Sequence, residues 1–212
     1  MSILENLFQQ YLLILENVLR EIFSDVLIER IITSLIEKYE SILKSSTTRE
    51  VILQDINQET HVVTSCFIIA LYRTLKEKIS NNIPIDEMLE LSMRIFQKLV
   101  GPLADMQKEE LKRADDKWKT FKESIIHGTR STYSSFKPKF IKNDEKVLEF
   151  HLNKCIFYEV FKVHKELVLA PILCFYDEIF AEAVEEWITF ERPKTIANGE
   201  DYCQFCYFFK EN

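Results

Sequence analysis

The sequence predicts an α+β fold, in which an N-terminal helical bundle is followed by a small antiparallel sheet packed with two helices. Three observations predict it. Only 3 Gly and 5 Pro occur in 212 residues, which leaves few turn signals and favours long helices. Apolar residues recur at helical spacing through the first part of the chain. In the last part, short alternating segments and turn residues take over. The reading is therefore a helical region over 1–130 and an α+β region over 131–212 that carries the site, the two forming one compact unit.

Taken in order, the first helix is read over 3–22, from Leu4, Leu7, Phe8, Tyr11, Leu12, Leu15, Val18, Leu19 and Ile22. Ser24-Asp25 caps a second that runs to about Lys44, with Leu27, Ile28, Ile31, Leu35 and Ile42 facing inward. Ser45 to Thr48 is a polar loop. Asn57 or Thr60 opens a third helix through Cys66, Ile69 and Tyr72 to Ser80. Asn81-Asn82-Ile83-Pro84 is a break, and Pro84 suits the first turn of a fourth helix over 85–100. Gly101-Pro102 is expected to stop that helix. A fifth, heavily charged helix is read from Leu103 to Ile126, ended by His127-Gly128.

The texture then changes. Thr132 to Lys139 is rich in Ser, Thr, Tyr and Lys, and Phe140 to Lys146 reads as a turn region. Val147 to Asn153 alternates, with Leu148, Phe150 and Leu152 on one side and Glu149, His151 and Asn153 on the other, a half-buried strand. Ile156 to Val168 and Pro171 to Glu186 read as helices. Trp187 to Arg192 and Tyr202 to Phe209 read as strands, antiparallel across a turn at Gly199, where φ > 0 costs glycine little.

Composition narrows the function classes. A net charge of −7 argues against a nucleic-acid partner, which would need a basic stripe. The early apolar stretch Ile3 to Phe23 is broken by Glu5, Asn6, Gln9, Gln10, Glu16, Arg20 and Glu21, so no membrane span is expected there. No basic segment leads an apolar run, and the 5 cysteines are odd in number and irregularly spaced. Both point to a cytoplasmic protein with free thiols and no disulfide framework. The N-terminal helices are free to pack on the core or on a second copy as a homodimer.

Chemistry-bearing residues gather near the C-terminus. Cys174 and Asp177 are three apart and share a helix face. Cys155 opens the preceding helix, where a helix N-terminus lowers a thiol pKa. The Gly199 turn places Arg192, Thr195 and Cys203 near one another, and His151 lies on the polar side of the strand before Cys155. A pocket lined by these residues would hold a small anionic substrate. The plain reading of the same residues is a hairpin with core cysteines. Cys203-Gln204-Phe205-Cys206 is a CxxC, but thiols three apart on a strand point to opposite faces, so it is a poor chelate. Neither a metal nor a cofactor is expected.

The ordered set Cys155, Cys174-x-x-Asp177, Arg192, Thr195-Ile196-Ala197-x-Gly199 and Cys203-x-Phe205 resembles the L-2-amino-thiazoline-4-carboxylic acid hydrolase family over about residues 146–209. Its members show a helical Cys, a Cys-x-x-Asp, an Arg followed by a Thr-Leu-Ala-x-Gly turn, and a final Cys-Asp-Phe. One position departs, since the family's Asp after the last Cys is Gln204 here. The resemblance implies hydrolytic opening of a cysteine-derived thiazoline. Arg192 would bind the substrate carboxylate, Asp177 would act as general acid and base, and Cys174 or Cys203 would attack the C=N carbon or polarise the water. Thr195 and the turn amides would stabilise developing charge. Two rivals stay open. One is a related enzyme of specialised metabolism acting on another C–N or C–S substrate, which Gln204 favours. The other is a non-catalytic domain binding a small ligand, haem or metal, similar to 4-vinyl reductase proteins.

Overall fold

The computed structural model describes residues 3–52, 58–78 and 84–210. It is mostly helical with a small four-stranded antiparallel sheet, the predicted α+β class. The chain divides into two compact units, Met1–Leu99 with Phe157–Leu173 and Val100–Ile156 with Cys174–Asn212.

The first unit is helical. α1 (Ile3–Arg20) and α2 (Asp25–Lys44) are amphipathic and pack on α4 (Glu59–Lys78). Every residue of α4 from His61 to Leu71 is buried, as expected of a central helix that is apolar all round. Phe8 stacks on Tyr39 at 3.8 Å, and the Tyr11 and Thr64 hydroxyls bond at 2.8 Å. Ile22 lies beyond α1 and is exposed, while Ile28, Ile31, Leu35 and Ile42 are buried and Leu27 only half so.

Three local expectations for the helical part are corrected. The Ser45–Thr48 stretch is not all loop, because α3 (Ser46–Ile52) starts within it and the Ser45 hydroxyl accepts the Thr48 amide at 3.2 Å. Gly101-Pro102 does not stop a helix, since α5 (Ile85–Arg113) runs through it. The break falls instead at 114–116, where the Asp116 side chain caps α6 (Lys117–Ser131) by accepting the Lys119 amide at 2.8 Å. His127-Gly128 does not end α6, which runs on to Ser131, and a glycine inside a helix costs only about 1 kcal/mol. The expected break over Asn81–Ile83 lies outside the described residues, and Pro84 directly precedes α5.

The second unit holds the sheet, in the order β1-β2-β4-β3. β1 (Pro138–Asn143) was expected to be a turn. It is a lysine-rich edge strand whose single irregularity, between Phe140 and Lys142, hides its alternation. The turn itself is tighter: the Asp144 carboxylate accepts the amides of Lys146 and Val147 at 2.9 and 2.8 Å. β2 (Val147–Leu152) pairs with β4 (Cys203–Phe209), which pairs with β3 (Ile188–Glu191) as predicted. α7 (Ile156–Val163) is shorter than expected and is followed by Lys165 at φ 60°; α8 (Ala170–Ala183) comes next.

Cross-strand partners fix the two faces of the sheet. Leu148 opposes Tyr207, Phe150 opposes Phe205, Leu152 opposes Cys203 and Phe190 opposes Tyr207, all on the inner face. Helix α6 covers that face, with Trp118 stacked on Phe209 at 5.8 Å and Phe121 edge-on to Tyr207 at 5.1 Å. Glu149, His151, Gln204 and Cys206 fall on the outer face.

Candidate functional site

Arg192 is the first residue after β3. Its guanidinium turns back onto α8 and is tied there at three points. Nη1 donates to the Cys174 carbonyl at 2.8 Å and to the Asp177 carboxylate at 2.6 Å, and Nη2 donates to Glu178 at 3.1 Å. The Arg192 side chain is only 9% exposed, against 28% for Asp177 and 47% for Glu178. It also lies over the rings of Phe190 and Phe205 at 5.8 and 5.9 Å.

The loop from Arg192 to Cys203 is closed by its own bonds. Thr195, itself buried, accepts the Asn198 amide on its hydroxyl at 3.2 Å. Glu200 N donates to Thr195 O, and Gly199 N to Ile196 O. Gly199 sits at φ 91°, in the left-handed region that side chains disfavour. The Ile196 amide donates to Cys203 Sγ at 3.3 Å, and Gln204 N to Lys194 O at 3.0 Å, which seats the turn against the start of β4.

This arrangement brings Cys174, Asp177, Arg192 and Cys203 into one electrostatic neighbourhood. Burial pushes the Asp177 carboxyl up to about 6, although Arg192 pulls the other way. Burial also pushes the Cys174 thiol up to about 12, and it raises Cys203 as well, opposed there by the Ile196 amide. Both thiols are thus neutral at physiological pH, and a thiolate would form only if a neighbour accepted the proton.

A cavity of about 220 Å³ opens between α6, α8 and the inner face of the sheet. Phe150, Phe205 and Phe180 give it apolar walls, and Tyr133, Tyr176 and Tyr207 also line it. Asp177 is its carboxylate, and Arg192 stands behind Asp177 and does not line the cavity. Burial raises Tyr176 to about 12 and Tyr207 further, so both are neutral hydrogen-bonding groups there.

Not every expected site residue meets this group. His151 is on the outer face of the sheet, stacked on Tyr202 at 4.1 Å and 3.2 Å from Glu149 Oε1. Gln204 shares that face and donates to the same Glu149 oxygen at 2.9 Å, so the residue that departs from the family pattern points away from Asp177. Cys155 is half-buried and immediately precedes α7. Cys203 and Cys206 project to opposite faces of β4, as strand alternation requires.

Sequence reasoning missed Glu178, Tyr176, Tyr207, Gln107 and Thr129. Tyr207 was open to detection, because it continues the alternation Cys203, Phe205, Tyr207 on β4. Gln107 and Thr129 were not, since nothing local marks which side of α5 or α6 faces a cavity.

Among curated proteins and among solved structures, none matches the chain. No helix among the described residues is long and apolar enough to cross a membrane. The sequence pattern of the L-2-amino-thiazoline-4-carboxylic acid hydrolases matches residues 59–207, which includes α4 to α8, β1 to β3 and most of β4, with Cys155, Cys174, Asp177, Arg192, Thr195, Gly199 and Cys203. That match takes in most of the chain and all of the Asp177–Arg192 group, and the chain belongs to the L-2-amino-thiazoline-4-carboxylic acid hydrolase family.

Proposed function

We propose that the protein is a hydrolase that opens the ring of a cysteine-derived thiazoline of the 2-amino-thiazoline-4-carboxylate type by adding water at the C=N carbon. The observation that carries this reading is the Asp177 carboxyl on the cavity wall, raised to about 6 by burial and anchored by Arg192 at 2.6 Å. A carboxyl tuned toward neutral pH takes and returns a proton with little driving force wasted in either direction.

In this scheme the ring sits in the cavity against Phe150 and Phe205. Asp177 takes a proton from water as its oxygen bonds to the ring carbon. The tetrahedral adduct collapses to the carbonyl: the bond from that carbon to the departing ring heteroatom breaks, Asp177 returns its proton to that atom, and the adduct's hydroxyl proton passes to the ring nitrogen. Substrate plus one water gives a carbamoyl-cysteine, with no change of oxidation state. Arg192 is the positioning residue: it fixes the Asp177 rotamer and keeps the carboxylate accessible despite burial. Tyr176 and Tyr207, neutral and on the cavity wall, would supply hydroxyl donors to charge that develops in the adduct. Cys174 and Cys203, both neutral, pack behind Asp177 and join the chemistry only by passing a proton to it.

Mass spectrometry of the protein mixed with 2-amino-thiazoline-4-carboxylate and with its carboxamide tests the proposal. A small-molecule product heavier by one water, absent with the Asp177→Asn variant, supports it. Intact compounds after prolonged incubation with folded protein would refute it.

A further inference from the structure

We infer that the site has a second compartment, which binds an apolar tail carried on the exocyclic 2-amino nitrogen of the thiazoline-4-carboxylate. This rests on the hydrolase reading above and concerns the substrate class of the same site. Three observations carry it.

The first is continuity. A groove of about 980 Å³ adjoins the cavity and shares Gln107, Ser124 and Phe180 with it. The cavity itself is about 220 Å³. An apolar cavity of roughly 150 Å³ accepts a benzene ring, so a five-membered ring with small substituents fills most of the space here. Any longer substituent has to leave past the three shared residues.

The second is direction. Asp177 and Phe180 are three apart on α8 and lie on one face of it, roughly 5–6 Å apart at their Cβ atoms. The ring carbon that receives water at Asp177 is therefore close to the mouth at Phe180. The exocyclic nitrogen is bonded to that same carbon, so it is the substituent that reaches the mouth. The ring carboxylate, attached on the other side of the ring, stays free.

The third is the surface beyond the mouth. Leu103, Met106 and Gln107 share a face of α5, at positions i, i+3 and i+4. Leu103 is 52% exposed and Met106 68%, and both line the groove beside Pro102 and Phe180. Large apolar side chains left in water along a groove are the usual mark of a ligand surface. The charged residues of the groove are Asp105, Glu109 and Glu110 against Arg113, so the tail is apolar and has no anionic end.

Hydrolysis of such a substrate follows the scheme above. Only the ring opens, the exocyclic C–N bond stays intact, and the product is a carbamoyl-cysteine that keeps its tail.

The test uses 2-amino-thiazoline-4-carboxylate and its N-methyl, N-butyl and N-hexyl derivatives on the exocyclic nitrogen. Calorimetry measures binding and mass spectrometry measures turnover. Affinity should rise along the series, at least tenfold from the parent to the hexyl compound, with a matching gain in kcat/KM that comes mainly through KM. A hexyl tail ending in a carboxylate should lose most of the gain. Leu103→Asp with Met106→Asp, both exposed helix positions, should bring the hexyl-to-parent ratio close to one in protein shown to be folded by circular dichroism. A flat or falling series overturns the inference, as does a gain that survives in the double variant or with the carboxylate-ended tail. Turnover of the parent with a flat series leaves the hydrolase reading standing. Tail-dependent binding with no turnover of any compound sinks that reading and leaves the tail compartment.

Discussion

Asp177 Oδ2 and Arg192 Nη1 lie 2.6 Å apart, joining the middle of α8 to the residue that follows β3. Two effects of this pair oppose each other. Burial favours the neutral acid and the guanidinium favours the carboxylate, and burial prevails, leaving Asp177 at about 6.

The first prediction follows from that balance. If Asp177 is the base, it must be ionised in the free enzyme, so kcat/KM should rise with pH through a midpoint near 6 and level above it. Asp177→Asn should lower turnover by roughly 100- to 10,000-fold, the usual range for losing a positioned acid–base group. Stability should move the other way. The folded value lies above the unfolded one of about 3.9, so Asp177's contribution is full below about 4 and is lost as pH rises to about 6. The Asn variant should therefore lose no stability at neutral pH through desolvation, and its thermal midpoint should change less with pH between 4 and 6. Full activity in that variant removes Asp177 from the mechanism.

Arg192 gives a prediction that separates positioning from simple structure. Arg192→Met leaves Asp177 buried without its guanidinium, so the pH midpoint of kcat/KM should climb above that of the unaltered enzyme. Breaking a buried pair from one side typically costs about 3–5 kcal/mol, and the loss here should fall at the lower end because Asp177 retains some solvent. Arg192→Lys keeps the charge but not the fork, and should restore much of the stability with an intermediate midpoint. An unmoved pH profile in a folded Met variant would assign Arg192 a purely structural role.

Gln204 is the visible departure from the family pattern, yet its side chain is on the outer face of the sheet and donates to Glu149. Gln204→Asp should change kcat/KM by less than about twofold, since the new carboxylate cannot reach the cavity through the sheet. It replaces a donor with a like charge beside Glu149, a change that generally costs about 1 kcal/mol. A large gain in activity in steady-state assays would mean that the outer face takes part in the reaction.

These outcomes show what was legible in the sequence. The β2 strand was readable because it alternates cleanly, β3 and β4 because they are short aromatic-rich runs on either side of the Gly199 turn, and α8 because Cys174 and Asp177 sit at helical spacing within an apolar run. β1 was not, because the irregularity between Phe140 and Lys142 interrupts its period. Pro102 and Gly128 misled for a common reason: each is a local helix breaker whose cost, roughly 1 to 3 kcal/mol, a long helix can absorb, and α5 and α6 run through them. At the site, the pairing of Asp177 with Arg192 was within reach of residue order and turn chemistry. The cavity was not, because its walls come from α5, α6, α8 and two strands that no local pattern links.

Gly199 tests whether the Thr195 turn is needed for more than its shape. Its φ of 91° makes Gly199→Ala cost roughly 1–2 kcal/mol, although no atom would touch the added Cβ. Thermal or urea unfolding should show that loss, while kcat/KM measured well below the melting range should stay within a few-fold. A much larger fall in kcat/KM with the folded state intact would indicate that the turn holds Cys203 and Arg192 in a geometry the reaction requires.

Gly128 offers the most direct probe of the cavity. It lies within α6, it lines the cavity, and a Cβ built on it meets no atom within 4 Å. Glycine inside a helix costs about 0.5–1 kcal/mol relative to alanine, so Gly128→Ala should raise stability by that amount in thermal unfolding. The methyl group takes only a little of the 220 Å³, so ligand affinity should hold. Gly128→Phe sends a ring into the same space. It should keep the fold, since it fills a void instead of displacing packed atoms, and should abolish binding of 2-amino-thiazoline-4-carboxylate in calorimetry. Unchanged binding in a folded Phe variant would show that the ligand occupies another part of the protein. The Ala variant then serves as the control that separates occupation of the cavity from any effect of altering α6.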